Sequence, residues 1–454
     1  MPNQAWNLER LRAGVRLRRQ RWFFRHTLEL PRPDHGSARQ NIASPAAALA
    51  AIERILDAAV LPFWRKATTP AEDLGYRLNH DVTGRWMGRC PQRTVAQART
   101  LWFFSHLMAT GMDVPGDDAL AAAGGSFLLK RLWDGRHGGF FWEVNDRGTA
   151  PTDDRKHLYA QAYGLFALSE YAVTTKDEKA ARCADQVFEI TERHFHDPAD
   201  GGYREVFRGD WGEISASHGT LLGVLPTVKL RNTHLHMLEA LTAYYRLRPE
   251  AAVRQRINEL LHILSDVAIR PAFPTGSEEH HRNWRPLHAD DAALVSYGHD
   301  LESIYIAWEA AVAVGDLGLA PVALFKGLFS HAEQWGLDRK LGGFFATGRP
   351  GMPAMDLTKV WWVQAETLLA ALLMFRLTGE AEYWHGFCRT LDWIVGWQTD
   401  WTYGDWHGEI TPAGLARGPK AGPWKEPYHH GRALIRCRGW LRDGADAPGA
   451  GTQP

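Results

Sequence analysis

Cysteine is scarce in this sequence and never paired. Cys90, Cys183, Cys388 and Cys437 lie far apart and form no CxxC motif, which argues against a disulfide framework or a thiolate metal centre and for a reducing, cytoplasmic setting. Long apolar runs are missing as well, so no segment reads as a membrane span. The N-terminus is basic at Arg10, Arg12, Arg16, Arg18, Arg19 and Arg21 but lacks the continuous apolar stretch of a secretory signal. Net charge is absent: Lys+Arg and Asp+Glu both number 52. Such a balance leaves no electrostatic footprint for nucleic acid or anionic lipid. Alternating β-branched runs are also absent, which argues against a core built from strands.

Aromatic residues and histidine are what the chain has in quantity, with 20 Trp, 19 Phe, 12 Tyr and 21 His. Trp presents a flat apolar face with one polar edge, which matches the C–H faces and hydroxyl edges of a sugar ring. A large helical core would use the same residues. Histidine supplies groups that titrate near neutrality.

Apolar residues recur at three- and four-residue spacing over 45–60, 93–112, 156–174, 177–195, 233–247, 251–269, 301–315, 322–335, 359–377 and 381–398. Each window reads as an amphipathic helix. Between them a turn motif returns: DGRHGGFFW from Asp134, DPADGGY from Asp197 and DRKLGGFF from Asp338, with a degenerate copy, DVTGRW, from Asp81. Asp followed by Gly-Gly is turn chemistry, and the aromatics after it suit a short hairpin. The first two copies lie one helical hairpin apart and the third about twice as far on. Helix pairs repeated about six times over ~400 residues close into an α/α toroid, with an open superhelix as the alternative. The predicted fold is therefore all-α, an (α/α)6 barrel of helical hairpins with short β-hairpin loops. Residues 1–45 read as an added helical extension and linker, 46–443 as the barrel, and 444–454 as a disordered Gly/Ala/Pro-rich tail.

Five segments carry candidate chemistry. In NTHLHMLEA, Asn232 or Thr233 can cap a helix on which His236 and Glu239 share a face. His234 and His236, two apart, do not face each other and make a poor metal pair. In SYGHDLE, Gly298 interrupts the helical run, His299 stands at a helix entry, and Glu302 follows one turn later; a carboxylate there can orient an imidazole. In KVWWVQAE, Trp362 and Glu366 are four apart and present a stacking surface and a carboxylate together. PKAGPWKEPYHHGR is a Pro/Gly-rich loop before a final helix, and places Trp424 and His429 where core packing does not explain them. Arg99 sits amid an apolar helical run, where a guanidinium requires a partner or an oxyanion to face.

THLHMLEA, SYGHDLES, KVWWVQAE and KAGPWKEPYHHGR, in that order, resemble the motifs of the cellobiose 2-epimerases of the N-acylglucosamine 2-epimerase superfamily. QARTLWFFSHL around Arg99 and KHLYAQAYGLFALSEYA from Lys156 resemble earlier segments of the same family. The resemblance implies a central sugar pocket with no metal or nucleotide cofactor. It implies catalytic histidines at His299 and His429 with a third at His236, and substrate contacts from Arg99, Tyr159, Asn232, Glu302, Trp362, Glu366 and Trp424. Glu426 stands where the family has a small residue or Cys, and His430 where it often has Asn. Both flank His429 and are expected to affect sugar preference or local pKa.

The implied reaction moves a proton at C2 of the reducing-end aldose of a β-1,4-linked disaccharide through a cis-enediolate. The partner is a small sugar, with neither nucleic acid nor membrane involved, and the chain is a monomer or homodimer. Three alternatives remain at this level: a mannose–fructose isomerase or mannose 2-epimerase of the same superfamily, an (α/α)6 glycoside hydrolase, and a non-catalytic sugar-binding relative.

Overall fold

The computed structural model describes residues 42–69, 74–214 and 224–444. Most of the expected N-terminal extension and all but the first residue of the expected tail lie outside the described residues. Within them, helices alternate between two layers. The outer layer holds α1 (Pro45–Ile55), α3 (Asp117–Phe127), α5 (Glu178–Ile190), α7 (Ala251–His262), α9 (Val322–Gly336) and α11 (Ala381–Trp393). The inner layer holds α2 (Thr94–Ala109), α4 (Leu158–Thr175), α6 (Arg231–Leu247), α8 (Tyr297–Val314), α10 (Trp361–Thr378) and α12 (Tyr428–Arg442). Each inner helix packs on the inner helix of the next pair, and α12 packs on α2, so the inner layer closes into a ring. The architecture is the predicted (α/α)6 barrel.

The two layers obey different sequence rules. In α5 the buried positions Ala180, Ala181, Cys183, Ala184 and Val187 form one stripe, and Asp177 caps the helix by accepting from the N–H groups of Lys179 and Ala180. In α10 every residue from Val363 to Met374 is buried. A helix covered on all sides has little reason for an amphipathic pattern. The expectation of uniform amphipathicity therefore fits the outer helices and not the inner ones. α1 runs on through a π turn at Leu56–Val60 into Leu61–Ala67, and α3, α5, α7 and α11 each run on into a π turn of their own.

The turn after each outer helix is built the same way in several repeats. Asp134 Oδ1 accepts from the N–H groups of Arg136 and His137, and its Oδ2 accepts from the Lys156 ammonium at 2.8 Å. Gly138 and Gly139 have φ of 74° and 75°, a conformation open to glycine at little cost. Antiparallel bridges follow at Trp133–Phe140, His196–Tyr203 and Leu337–Phe344, as the Gly-Gly-aromatic motif predicts. Two further copies escaped the motif. Ile269 bridges Gly276 and fills the double-length gap between the second and third copies without any Asp-Gly-Gly. Thr399 bridges Trp406 after Asp400, with Asp405 at φ 56° where the other copies have a second glycine.

A side chain from the following inner helix clasps several of these aromatic turns. Gln161 bonds the N–H and C=O of Phe140 at 2.8 and 2.9 Å, Gln364 those of Phe344 at 2.8 and 2.7 Å, and Gln97 those of Tyr76 at 2.8 and 3.0 Å. Short antiparallel pairings then link neighbouring loops: Gln92–Arg93 with Glu143–Val144, Lys156–His157 with Val206–Phe207, Lys229–Leu230 with Glu279–His280, and Lys359–Val360 with Glu409–Ile410. One strand of every pair directly precedes an inner helix, so this lacework rings the N-terminal mouth of the barrel.

Gln364→Leu keeps the volume of the clasp but leaves the buried N–H and C=O of Phe344 without partners. Each orphaned group should cost about 1–3 kcal/mol, seen as a lower thermal midpoint; an unchanged midpoint would show that the clasp is dispensable.

Candidate active site

The six inner helices send side chains to one place from their first two turns. Tyr159 and Tyr163 come from α4, Asn232 and His236 from α6, and Trp362 and Glu366 from α10; in each pair the residues are four apart and so share a face. Arg99 of α2, His299 and Glu302 of α8, and His429 and Arg432 of α12 complete the ring. Arg99, Tyr159, His236, Glu302, Glu366, His429 and Arg432 are all buried.

Three expectations of local structure need correction. α6 starts at Arg231 with Leu230 at its N-cap and no side-chain cap, so neither Asn232 nor Thr233 caps it. Asn232 instead lies close enough to the Tyr159 hydroxyl to lower its pKa against the raising effect of burial. Gly298 does not interrupt a helix: α8 begins at Tyr297, capped by Ser296 accepting from the His299 N–H at 3.3 Å. Glycine is needed there because the Trp362 ring fills the space, and an added Cβ would lie 2.3 Å from its Cζ3. His429 belongs to the first turn of α12, not to the preceding loop, while Trp424 does lie on that loop. Trp424 leans on Trp142 with ring centroids 6.1 Å apart and on Tyr159 at 6.5 Å.

His299 and His429 both pack beside one indole. The Trp362 ring lies 5.1 Å from the His299 ring and 5.5 Å from the His429 ring. Each imidazole is held from behind by its own carboxylate: His299 Nδ1 lies 2.7 Å from Glu278 Oε2, and His429 Nδ1 lies 2.7 Å from Glu366 Oε1. Such a partner fixes the tautomer and leaves Nε2 for other work. His236 is third: its Nδ1 lies 2.9 Å from the Tyr163 hydroxyl and 3.1 Å from Glu239 Oε2, and its Nε2 lies 3.7 Å from Glu302 Oε2.

The rings sit in opposite fields. Burial disfavours the charged form of His299, but Glu278 and then Glu302 outweigh it and raise its pKa. Burial drives the His429 pKa well below the ordinary value, and the cations Arg99 and Arg432 push the same way. His236 is also lowered, chiefly by burial. One of these two rings is thus biased to carry a proton and the other to lack one.

Arg432 organises the floor of the site. Its Nη2 donates to Glu302 Oε1 and to Glu366 Oε2, both at 2.8 Å, and its Nη1 donates to Glu239. Glu302, Glu366 and His429 each offer a ligand atom within 4.8 Å of the others, but this guanidinium already bonds both carboxylates. Arg99 is equally enclosed: Nη1 donates to Glu426 Oε1 at 2.6 Å, and Nη2 to Tyr159 at 3.0 Å and to Tyr163. The two flanking departures part company here. Glu426 faces the pocket cation, whereas His430 points to the outer layer, where its Nε2 lies 2.7 Å from Asp405 Oδ1 and its ring packs near Trp406.

Sequence reasoning did not single out Glu278, Tyr163 or Arg432. Arg432 stood inside a quoted motif, three residues beyond His429, and a lone Arg so close to His and Glu was the available signal. Glu278 lies in the loop between α7 and α8 and reaches His299 only through the fold, so no spacing could have pointed to it.

An α/α toroid with a largely buried cluster of histidines, carboxylates and arginines at the N-terminal ends of its inner helices defines the class. The chain belongs to the N-acylglucosamine 2-epimerase family, which matches residues 75–433. It is 28% identical to the cellobiose 2-epimerase of Bacteroides fragilis over 392 residues, 86% of this chain and 98% of that protein. It is 25% identical to the D-mannose isomerase of Thermobifida fusca over 330 residues, 70% of this chain and 77% of that protein. The solved cellobiose 2-epimerase of Bacillus thermoamylovorans superposes with a TM-score of 0.77 at 26% identity, covering 86% of this chain and 98% of that one. Among the described residues no helix is long and apolar enough to cross a membrane.

Glu278→Gln removes the charge that favours a protonated His299, so the titration midpoint of that ring should fall. NMR of isotope-labelled histidine reads it directly, and an unmoved midpoint would remove Glu278 from the account.

Proposed function

We propose that the protein is a cytoplasmic sugar 2-epimerase that inverts C2 at the reducing end of a β-1,4-linked disaccharide of the cellobiose kind. The observation that carries this reading is the pair His299 and His429. Both rings pack beside Trp362, have Nδ1 tied to Glu278 and Glu366, and have pKa values shifted in opposite directions. Two titratable groups whose surroundings push them apart are the mark of an acid and a base. The similarity to cellobiose 2-epimerases supports the choice of substrate.

In the proposed reaction the ring first opens to the aldehyde, whose carbonyl acidifies C2–H. Neutral His429 takes that proton through Nε2 and the electron pair moves onto O1, giving a cis-enediolate. Protonated His299 then delivers a proton to the opposite face of C2, and the roles exchange in the reverse direction. Arg99 and His236 stabilise charge on O1 and O2 or assist ring opening. Trp362 and Trp424 stack on sugar faces, and Tyr159, Asn232, Glu302 and Glu366 position hydroxyl groups or the histidines. The carbon skeleton keeps its oxidation state, so the chemistry calls for no redox cofactor.

A mannose–fructose isomerase would use the same residues and return the proton to C1, a reading favoured by the similarity to the D-mannose isomerase. A glycosidase needs one free carboxyl acid and a second carboxylate across the bond; here Glu302 and Glu366 are both engaged by Arg432.

Incubation with cellobiose, mannobiose, lactose, mannose and N-acetylglucosamine in D2O, with chromatography and NMR of the products, tests the reading. The expected product is a C2 epimer carrying deuterium at C2; a ketose would select the isomerase, and release of monosaccharide from cellobiose would overturn both. His299→Phe and His429→Phe should each reduce turnover by about 10²–10⁴-fold or more, and retained activity in either would refute its role.

A further inference from the structure

The cation that faces the reacting end of the sugar in this reading arrives with its charge already met. Arg99 and Glu426 are both buried, and their 2.6 Å contact joins α2 to the loop before α12. The guanidinium is also walled by aromatic rings, with its Cζ 4.2 Å from the Tyr163 centroid and 4.8 Å from that of Tyr428. It therefore cannot swing away from the carboxylate without leaving its cage. Two atoms of the pair, Arg99 Nε and Glu426 Oε2, have no partner within the protein.

An unpaired buried guanidinium is a strong receptor for carboxylate or phosphate. A paired one is not: an anion brought beside it meets the repulsion of the second carboxylate oxygen as well as the attraction of the cation. A neutral hydroxyl meets no such conflict, since it can accept from one partner and donate to the other. We propose that Glu426, by counter-charging Arg99 in place, makes this pocket selective for uncharged aldoses and excludes aldonates, uronates and sugar phosphates. The inference rests on reading the pocket as an aldose site and adds a specificity-determining residue to it.

The same pair reaches the proton-transfer machinery. His429 is faced by Glu366 of α10, Glu302 of α8, Arg99 of α2, His236 of α6, and Arg432 and His430 of α12. Of these, Arg99 is the cation that Glu426 offsets. Removing the Glu426 charge leaves Arg99 uncompensated, which further disfavours protonated His429. The acidic limb of kcat/KM then moves to lower pH.

The test compares the full-length wild type with Glu426→Gln, whose amide oxygen still accepts from Nη1, and Glu426→Asp, which keeps the charge. Binding of gluconate and of uncharged sorbitol is measured by calorimetry. Glu426→Gln should bind gluconate about tenfold tighter or more while sorbitol changes less than about twofold, and Glu426→Asp should resemble the wild type. Should Glu426→Gln not fold, Glu426→Cys removes the same charge and is read the same way. Equal changes for gluconate and sorbitol, or no change for either, would overturn the proposal. Calorimetry needs no turnover, so a wild type that converts no aldose would sink the epimerase reading and leave this comparison to give its own answer.

Discussion

The guanidinium of Arg432 binds Glu239, Glu302 and Glu366 at once, and the geometry of the candidate site depends on that knot. Three carboxylates buried together repel one another and lose their water, so they stay in place only around a cation with enough donors in fixed directions. Two of the three histidines lean on these same carboxylates: His236 on Glu239 and His429 on Glu366. The knot joins α6, α8, α10 and α12, so closing the barrel and aligning the site are one event. Removing one partner would leave the others buried and unpaired, a costlier defect than the loss of a single hydrogen bond.

His299 stands outside that knot. Its carboxylate, Glu278, comes from a connecting loop and is itself bonded by Arg231 at 3.3 Å. This difference in surroundings explains the opposite pKa shifts. His429 has Arg99 and Arg432 against it besides its carboxylate and keeps 7% of its side-chain exposure, whereas His299 has Glu278 and Glu302 near it and keeps 19%. The barrel thus biases chemically identical rings in opposite directions by giving them different neighbours and different depths of burial.

Much of this was legible along the chain. The helical windows, the Gly-Gly-aromatic turns and the all-α toroid follow from local rules of spacing and turn chemistry, which act over a few residues. His236, Trp362 and Glu366 stood out because residues three or four apart on a helix face one way. The copies at 269–276 and 399–406 were hidden because what they preserve is a backbone bridge, and Asp405 at positive φ does there what glycine does elsewhere. The inner helices also resist pattern reading, because burial on all sides erases the periodicity that marks a surface helix.

By itself, then, the sequence determined the alternation of helix and turn, the supply of aromatic and imidazole groups, and the order of the motifs, since each depends on neighbours within a turn or two. Only the tertiary structure decided which carboxylate belongs to which histidine, that Arg99 is spoken for by Glu426, and that His430 turns away from the pocket. Apart from His236 and Glu239, those pairings join residues tens to hundreds of positions apart. They are set by the closure of six inner helices around one axis, and no local spacing encodes that distance.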